Sequence, residues 1–265
     1  VSSGNDAAVA LAEKVAGVTE LFVEQMNNRA RGLGMDDTHF VNPTGLTAEG
    51  HVTSAHDIAL MSRELLTKHP DIRSFTTIWT DSIRGGTFDL ANTNKLIRRY
   101  DGATGLKTGY TASAGYCISA TAEREGMELI AVIMKGETAD KRNTDAKALL
   151  NYGFSTYALV SAAPEESLPV LPVSMGETEQ VPLMLPEEGV TALVEKGRAN
   201  ALTRRIDLPE GLTAPVAAGQ PVGTLTLLDG ETEVLSVPIL AAEDVPRRSW
   251  GSLFVQLLRT VSFAR

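Results

Sequence analysis

The sequence predicts an α+β domain over residues 1–157, a small all-β domain over 158–245 and an amphipathic helix over 246–265. Three observations carry that division. Residues 1–157 mix apolar repeats of helical period with short alternating runs, so helices and an antiparallel sheet share one core. From Ala158 to Ser249 there is no aromatic residue, yet ten of the twelve prolines fall between Pro164 and Pro246. After Pro246 the apolar period returns to that of a helix.

Asp6 to Ala16 and Thr19 to Arg31 read as helices, the second with Phe22, Met26, Ala30 and Leu33 on one face before glycines stop it. Ser54, three residues before Asp57, opens a capping-box pattern, and Ile58, Met61, Leu65 and Leu66 continue at helical spacing. Strands are predicted for Thr76–Ile83 and Thr87–Leu90 around Gly85-Gly86, and for Gly115–Ala122 and Leu129–Met134 around a glycine turn. Ala139 to Tyr152 closes the domain as a helix. In the second domain, short Val/Leu/Thr runs are punctuated by Pro and Gly, with a hairpin turn at Asp229-Gly230.

Composition narrows the chemistry. With 265 residues, 43% hydrophobic and 22% charged, the chain can bury a substantial core. A net charge of -9 and a pI near 5.0 argue against nucleic acid as a partner, since no basic stripe could neutralise phosphates. The one cysteine, Cys117, excludes an intrachain disulfide framework and, from its apolar surroundings, reads as a buried structural thiol. His39, His51, His56 and His69 are scattered without ligand spacing, so neither a metal nor another cofactor is expected. No stretch is long and apolar enough to span a bilayer, and the first residues lack the pattern of an export signal.

Two short motifs bear on function. In "GLKTGYT", Lys107 and Thr108 stand between Gly105 and Gly109, where an ammonium and a hydroxyl can meet an anion. A phosphate-binding P-loop is excluded because Leu106 stands where its second glycine must be and a strand, not a helix, follows. A carboxylate is the better match, although a lone K-T-G also fits an exposed lysine in a turn. Ser3-Gly4-Asn5 opens a helix, and such a group can be an N-cap alone. S-x-N followed by K-T-G is also the order found in penicillin-recognising serine acyltransferases.

From its S-x-N motif to its C-terminus the chain resembles the low-molecular-mass penicillin-binding proteins, the serine D-alanyl-D-alanine carboxypeptidases. "SGNDA", "THFVNPTGL", "TSAHDIAL", "GLKTGYTASAGYC" and "LLNYGF" carry the resemblance. It implies part of a penicillin-recognition, serine β-lactamase-like domain, then the β-rich domain and the terminal helix. It also implies removal of the terminal D-alanine from peptidoglycan stem peptides through an acyl-serine, with β-lactams as inhibitors. Ser3 would move a proton to the leaving D-alanine, and Asn5 would orient a neighbouring lysine and the substrate backbone. Lys107 would make the site electropositive, Thr108 would bind the substrate carboxylate, and the strand with Gly109 would pair with the extended peptide. The Tyr110 N–H would be an oxyanion donor, and Arg142 would help bind the carboxylate. Arg142 also fits an exposed residue at a helix end.

The family's nucleophile stands in S-x-x-K, and no Ser among these 265 residues is followed three positions later by Lys. The expectation is that the motif lies upstream of Ser3 and that the chain as given is inactive alone. Two other readings stand beside this one. A non-catalytic peptidoglycan-binding or scaffold protein gains from the missing S-x-x-K. A class A β-lactamase is disfavoured, because "HFVNPTGL" holds no acid to activate water. At the C-terminus, Trp250, Leu253, Phe254, Leu257, Leu258 and Val261 form one apolar stripe flanked by Arg247, Arg248, Arg259 and Arg265, with no acid among them. Such a stripe suits a membrane surface rather than a membrane span, which places the protein on the outer face of the bacterial cytoplasmic membrane.

Overall fold

The computed structural model describes residues 2–251 and 254. It divides into two compact units, 1–155 and 156–265. Of the helix predicted over 246–265, residues 252–253 and 255–265 lie outside the described residues; 246–249 are not helical, because Arg247 forms a β-bridge with Gly176 and the Arg248 N–H donates to the Met175 carbonyl, and Trp250 and Phe254 are exposed.

In the first unit the helices are α1 (Asn5–Ala16), α2 (Thr19–Gly32), α3 (Ala55–Lys68), α4 (Arg73–Thr76), α5 (Leu96–Arg99) and α6 (Ala139–Thr156). β1 (Thr80–Ile83) and β2 (Phe88–Ala91) form a hairpin, and β3 (Ala103–Thr111), β4 (Gly115–Arg124) and β5 (Met127–Gly136) form an antiparallel sheet in that order. This is the predicted class: helices on an antiparallel sheet. The central strand shows why the sheet is the core. Ile118 to Ala122 are buried without interruption, so β4 is covered on both faces, and α3 packs against β4 and β5. Ser62 on α3 and Ser119 on β4 meet at 2.7 Å and satisfy each other in that dry interface.

The capping box before α3 is present, with Ser54 Oγ accepting from the Asp57 N–H. Asp57 is buried and also fastens the preceding loop, accepting from the Asp37 N–H at 3.0 Å and the Thr38 hydroxyl at 2.6 Å. These donors hold its carboxyl below the usual carboxylate range, outweighing desolvation. Phe22, Met26, Ala30 and Leu33 share one face of α2, as their spacing predicts, and line an apolar cavity of about 280 Å³ with Met35, Phe40 and Met61.

Two expectations need correction. The strand predicted from Thr76 begins only at Thr80, because residues 73–76 continue helically after a 3-10 turn and the Thr77 hydroxyl donates back to the Arg73 carbonyl at 2.7 Å. Cys117 is half-exposed rather than buried, its thiol directed at the Ala114 carbonyl. Lys107 and Thr108 lie inside β3, at the edge of the sheet, which agrees with a strand that carries them rather than with an isolated glycine turn.

The second unit contains β6 (Tyr157–Ser161), β7 (Leu171–Ser174), β8 (Gln180–Val181), β9 (Leu183–Met184), β10 (Thr191–Glu195), the single turn α7 (Lys196–Ala199), β11 (Leu202–Asp207), β12 (Leu212–Thr213), β13 (Pro221–Asp229) and β14 (Thr232–Ala241). A four-stranded sheet runs β11-β13-β14-β9, beside a β10-β6 pair and a β12-β7-β8 sheet. Leu225, Leu227, Val237 and Ile239 alternate inward from β13 and β14 and meet Val181 and Val245 in an aliphatic core. The Asp229-Gly230 turn closes this hairpin, with Gly230 at φ 60°.

Candidate active site

β3 is an edge strand, paired only with β4. The carbonyls of Thr104, Gly105 and Thr108 accept side-chain hydrogen bonds, and such an edge can also pair with an extended ligand. Its first half is held from three sides. The Thr76 hydroxyl donates to the Thr104 carbonyl at 2.6 Å, and the Thr104 hydroxyl lies 2.7 Å from Glu128 Oε1 and 2.8 Å from Thr121 Oγ1. Arg73 pairs with Glu128 from behind. The β3–β4 approach is closed by Gly102, whose φ of +78° and 2.3 Å clearance between a built Cβ and the Glu123 carbonyl admit no side chain.

This frame brings Lys107 to Ser3, 104 positions away in sequence. Lys107 Nζ donates to Ser3 Oγ at 2.8 Å and also to the Thr108 carbonyl. Ser3 is held in the left-handed region, φ 60°, just before α1. Such a conformation costs about 1–2 kcal/mol for an L-residue, and here it accompanies the turn of the hydroxyl toward the lysine. Crowding by protein around its ammonium, and then the positive Arg142, lower the Lys107 pKa from its ordinary value, although the residue as a whole is exposed.

Arg142, near the start of α6, is buried to 5% exposure, so it is not the solvent-facing helix-end residue that its sequence context also allowed. Its Nε and Nη2 donate to Asn143 Oδ1 at 3.2 and 3.0 Å, and Nη1 to the Cys117 carbonyl at 3.4 Å. Burial lowers its pKa as well. Gly136 permits this position, because a Cβ there would meet the Tyr116 carbonyl at 2.9 Å and Arg142 Cβ at 3.1 Å. Among the described residues no carboxylate forms an ion pair with Lys107 or Arg142. Two cations held partly out of water without a counter-ion are a receptor for an anion.

The other expected residues are arranged less closely. Asn5 is the first residue of α1, exposed, and its side chain has no hydrogen bond among the described residues. Gly109 is exposed opposite Cys117. Tyr110 is 60% exposed, with its ring 4.4 Å from that of Tyr116. Thr108 is 7% exposed, and its hydroxyl lies 2.6 Å from that of Thr93, a residue the sequence reading did not single out. The signal available was Thr93's place between Asn92 and Asn94, two residue types that commonly brace loops.

A family model described as D-alanyl-D-alanine carboxypeptidase matches residues 1–138, and one described as penicillin-binding protein 5, C-terminal domain, matches residues 162–247. The D-alanyl-D-alanine carboxypeptidase DacF of Bacillus subtilis is 40% identical over 253 residues, covering 93% of this chain and 64% of that protein. Among solved structures, a peptidoglycan synthesis regulatory factor (PBP3) from Streptococcus pneumoniae superposes with a TM-score of 0.74 at 29% identity, over 92% of this chain and 75% of that one. Penicillin-binding protein D2 from Listeria monocytogenes, in its cefotaxime-bound form, has a TM-score of 0.54 at 39% identity, over 57% and 62% of the two chains. The chain thus spans a little under two thirds of the length of the first curated relative it matches. With its S-x-N serine bonded to its K-T-G lysine and more than half of its residues matched, it belongs to the D-alanyl-D-alanine carboxypeptidase family.

Proposed function

We propose that this chain supplies the S-x-N and K-T-G walls of an acyl-transfer site that removes the terminal D-alanine from peptidoglycan stem peptides. The observation that carries the reading is the Lys107–Ser3 contact beside a buried Arg142, a cationic site that no acid pairs with among the described residues. In this reading the substrate carboxylate provides the missing charge, bound at the Thr108 position of β3, directly or through the hydroxyl bonded to it, and by Arg142 in the field of Lys107. Ser3 accepts from the ammonium and keeps its own hydrogen, so it can pass a proton to the leaving amine. Asn5 contributes an amide to the substrate backbone. The peptide lies along β3 past Gly109, where the Tyr110 N–H stabilises the developing oxyanion. The attacking serine belongs to an S-x-x-K that these 265 residues do not contain.

The proposed organisation is a catalytic portion in 1–157, a β-rich domain in 158–245 and a membrane-surface helix in 246–265, with the protein acting outside the cytoplasm. Among the described residues no helix is long and apolar enough to cross a membrane. β-Lactams, which resemble the D-Ala-D-Ala end, are the expected inhibitors.

The test is titration of ¹⁵N-labelled chain with an acetylated peptide ending in D-Ala-D-Ala. Shifts centred on residues 107–110 and Arg142 are expected, and they should be absent for the same peptide ending in L-Ala-L-Ala. No shifts, or equal shifts for both, would refute the site. Catalysis is separated from mere binding by joining a segment with Ser-x-x-Lys ahead of Ser3: penicillin acylation that Lys107→Ala or Ser3→Ala abolishes supports the enzyme.

A further inference from the structure

Alternation along β3 turns Thr108 to the side opposite Lys107, and there the residue is nearly closed to solvent. Thr93 covers it: its hydroxyl is 2.6 Å from that of Thr108, and Thr93 itself is exposed. The loop bearing Thr93 is braced on both sides. Asn92 Nδ2 donates to the carbonyls of Thr76 and Ile78 at 3.1 and 2.8 Å, while its Oδ1 accepts from the Asn94 N–H at 2.9 Å. Asn94, 1% exposed, donates through Nδ2 to the Gly105 carbonyl on β3 at 2.8 Å and accepts from the Leu96 N–H at 3.1 Å. Both asparagines are spent on backbone. The solvent-facing hydroxyl this built loop sets against β3 is that of Thr93.

We propose that Thr93 is a carboxylate-binding residue of the site, and that it forms one recognition unit with Thr108. The inference rests on the functional reading above and assigns that site a specificity residue outside its S-x-N and K-T-G motifs. Each hydroxyl can donate one hydrogen and accept others. With Thr108 donating to Thr93 Oγ1, the Thr93 hydrogen is left to point outward to a carboxylate oxygen, and the two bonds polarise each other in the same sense. The residue that selects a free carboxylate over a neutral chain end is then Thr93, with Thr108 supporting it from beneath.

The experiment measures binding of two acetylated peptides to this chain, one ending in D-Ala-D-Ala as the free acid and one as its C-terminal amide. Wild type, Thr93→Val and Thr93→Ser are compared. Wild type should prefer the acid. Thr93→Val, which keeps the shape and removes the hydroxyl, should weaken acid binding by about tenfold and lose most of the preference over the amide. Thr93→Ser should restore both. A merely structural role would lower binding of acid and amide alike, so an unchanged acid-to-amide ratio in Thr93→Val overturns the proposal. Wild-type chain that binds neither peptide removes the functional reading itself and Thr93 with it. Wild-type preference retained in Thr93→Val removes Thr93 alone.

Discussion

Replacing Arg142 with methionine should separate the cost of the site from its purpose. In the folded chain the guanidinium is 5% exposed and is satisfied by three long hydrogen bonds, two of which share the single acceptor Asn143 Oδ1. Hydrogen bonds from a charged donor contribute about 1.5–3 kcal/mol when well made, but these three, at 3.0–3.4 Å with a shared acceptor, lie at the weak end. Against them stands the desolvation of a cation with no ion-pair partner among the described residues, an effect that commonly makes an apolar replacement neutral or stabilising. Arg142→Met leaves Asn143 Oδ1 and the Cys117 carbonyl short of a donor, a loss of about 1–3 kcal/mol that the removed charge offsets. The net change in unfolding free energy should therefore stay within about 1 kcal/mol of zero. Carboxylate binding should fall by about tenfold or more, since one charge-assisted bond to the ligand is lost. Urea unfolding and titration with the D-Ala-D-Ala peptide read the two effects separately. A variant that unfolds several kcal/mol more easily yet binds as wild type would make Arg142 a structural residue and refute this account.

Other outcomes follow from the same geometry. A fluorescent penicillin should leave no covalent band on a denaturing gel of this chain, because no Ser-x-x-Lys is present to be acylated; a band would show that another nucleophile serves. Peptide affinity should decline as pH rises through a Lys107 pKa lowered by its surroundings, since only the protonated amine attracts the carboxylate, and Lys107→Met should flatten that decline. Gly102→Ala should destabilise the first unit by about 2–4 kcal/mol in urea titration, because it combines a left-handed φ of +78° with backbone 2.3 Å from the new Cβ; a change under about 0.5 kcal/mol would show that the β3–β4 approach yields freely. Asp57 has a folded pKa below its unfolded value, so its contribution is present above about pH 4 and lost as pH falls through the lower, folded pKa; Asp57→Asn should remove that part of the acid dependence of unfolding. Flotation with anionic vesicles should require residues 246–265, and equal binding by a chain ending at 245 would exclude the terminal stripe as the anchor.

The sequence made the helices legible because α1, α2 and α3 each carry an apolar stripe, and α3 also announces its start through Ser54 and Asp57. Strand ends were harder. Thr76 and Thr77 have the composition of a strand, but Thr76 ends α4 and Thr77 caps it, its hydroxyl donating back to the Arg73 carbonyl. β3 was legible as a sheet edge through its motif, although its glycines by themselves also suit a turn. In the structure Gly105 and Gly109 are strand residues, and a Cβ at Gly105 would come 3.1 Å from the Thr76 hydroxyl. Motif order was enough to expect Ser3 near Lys107. No one-dimensional pattern, however, could give the burial of Arg142 or the covering of Thr108 by Thr93, since both depend on which loop lies over which strand.

That distinction explains the form of the site. Ser3 and Lys107 carry their roles in their side chains, so short motifs identify them, and their separation by 104 positions is bridged by a sheet edge that any alternating sequence could build. Arg142 and Thr93 act through placement. Gly136 clears the space that brings Arg142 against β4, and the Asn92–Asn94 brace sets the Thr93 hydroxyl over β3. A serine, a lysine and a threonine in the right order would still leave a buried Thr108 with no hydroxyl facing solvent beside it. On the proposed reading, anion selectivity in this chain rests on residues outside the motifs, and substitutions at 93, 136 and 142 should change carboxylate preference while leaving Lys107 bonded to Ser3. The ¹⁵N resonance of the Lys107 ammonium, followed in Thr93→Val, tests that separation: a shift as large as the one Ser3→Ala produces would show that the two sides of β3 are coupled.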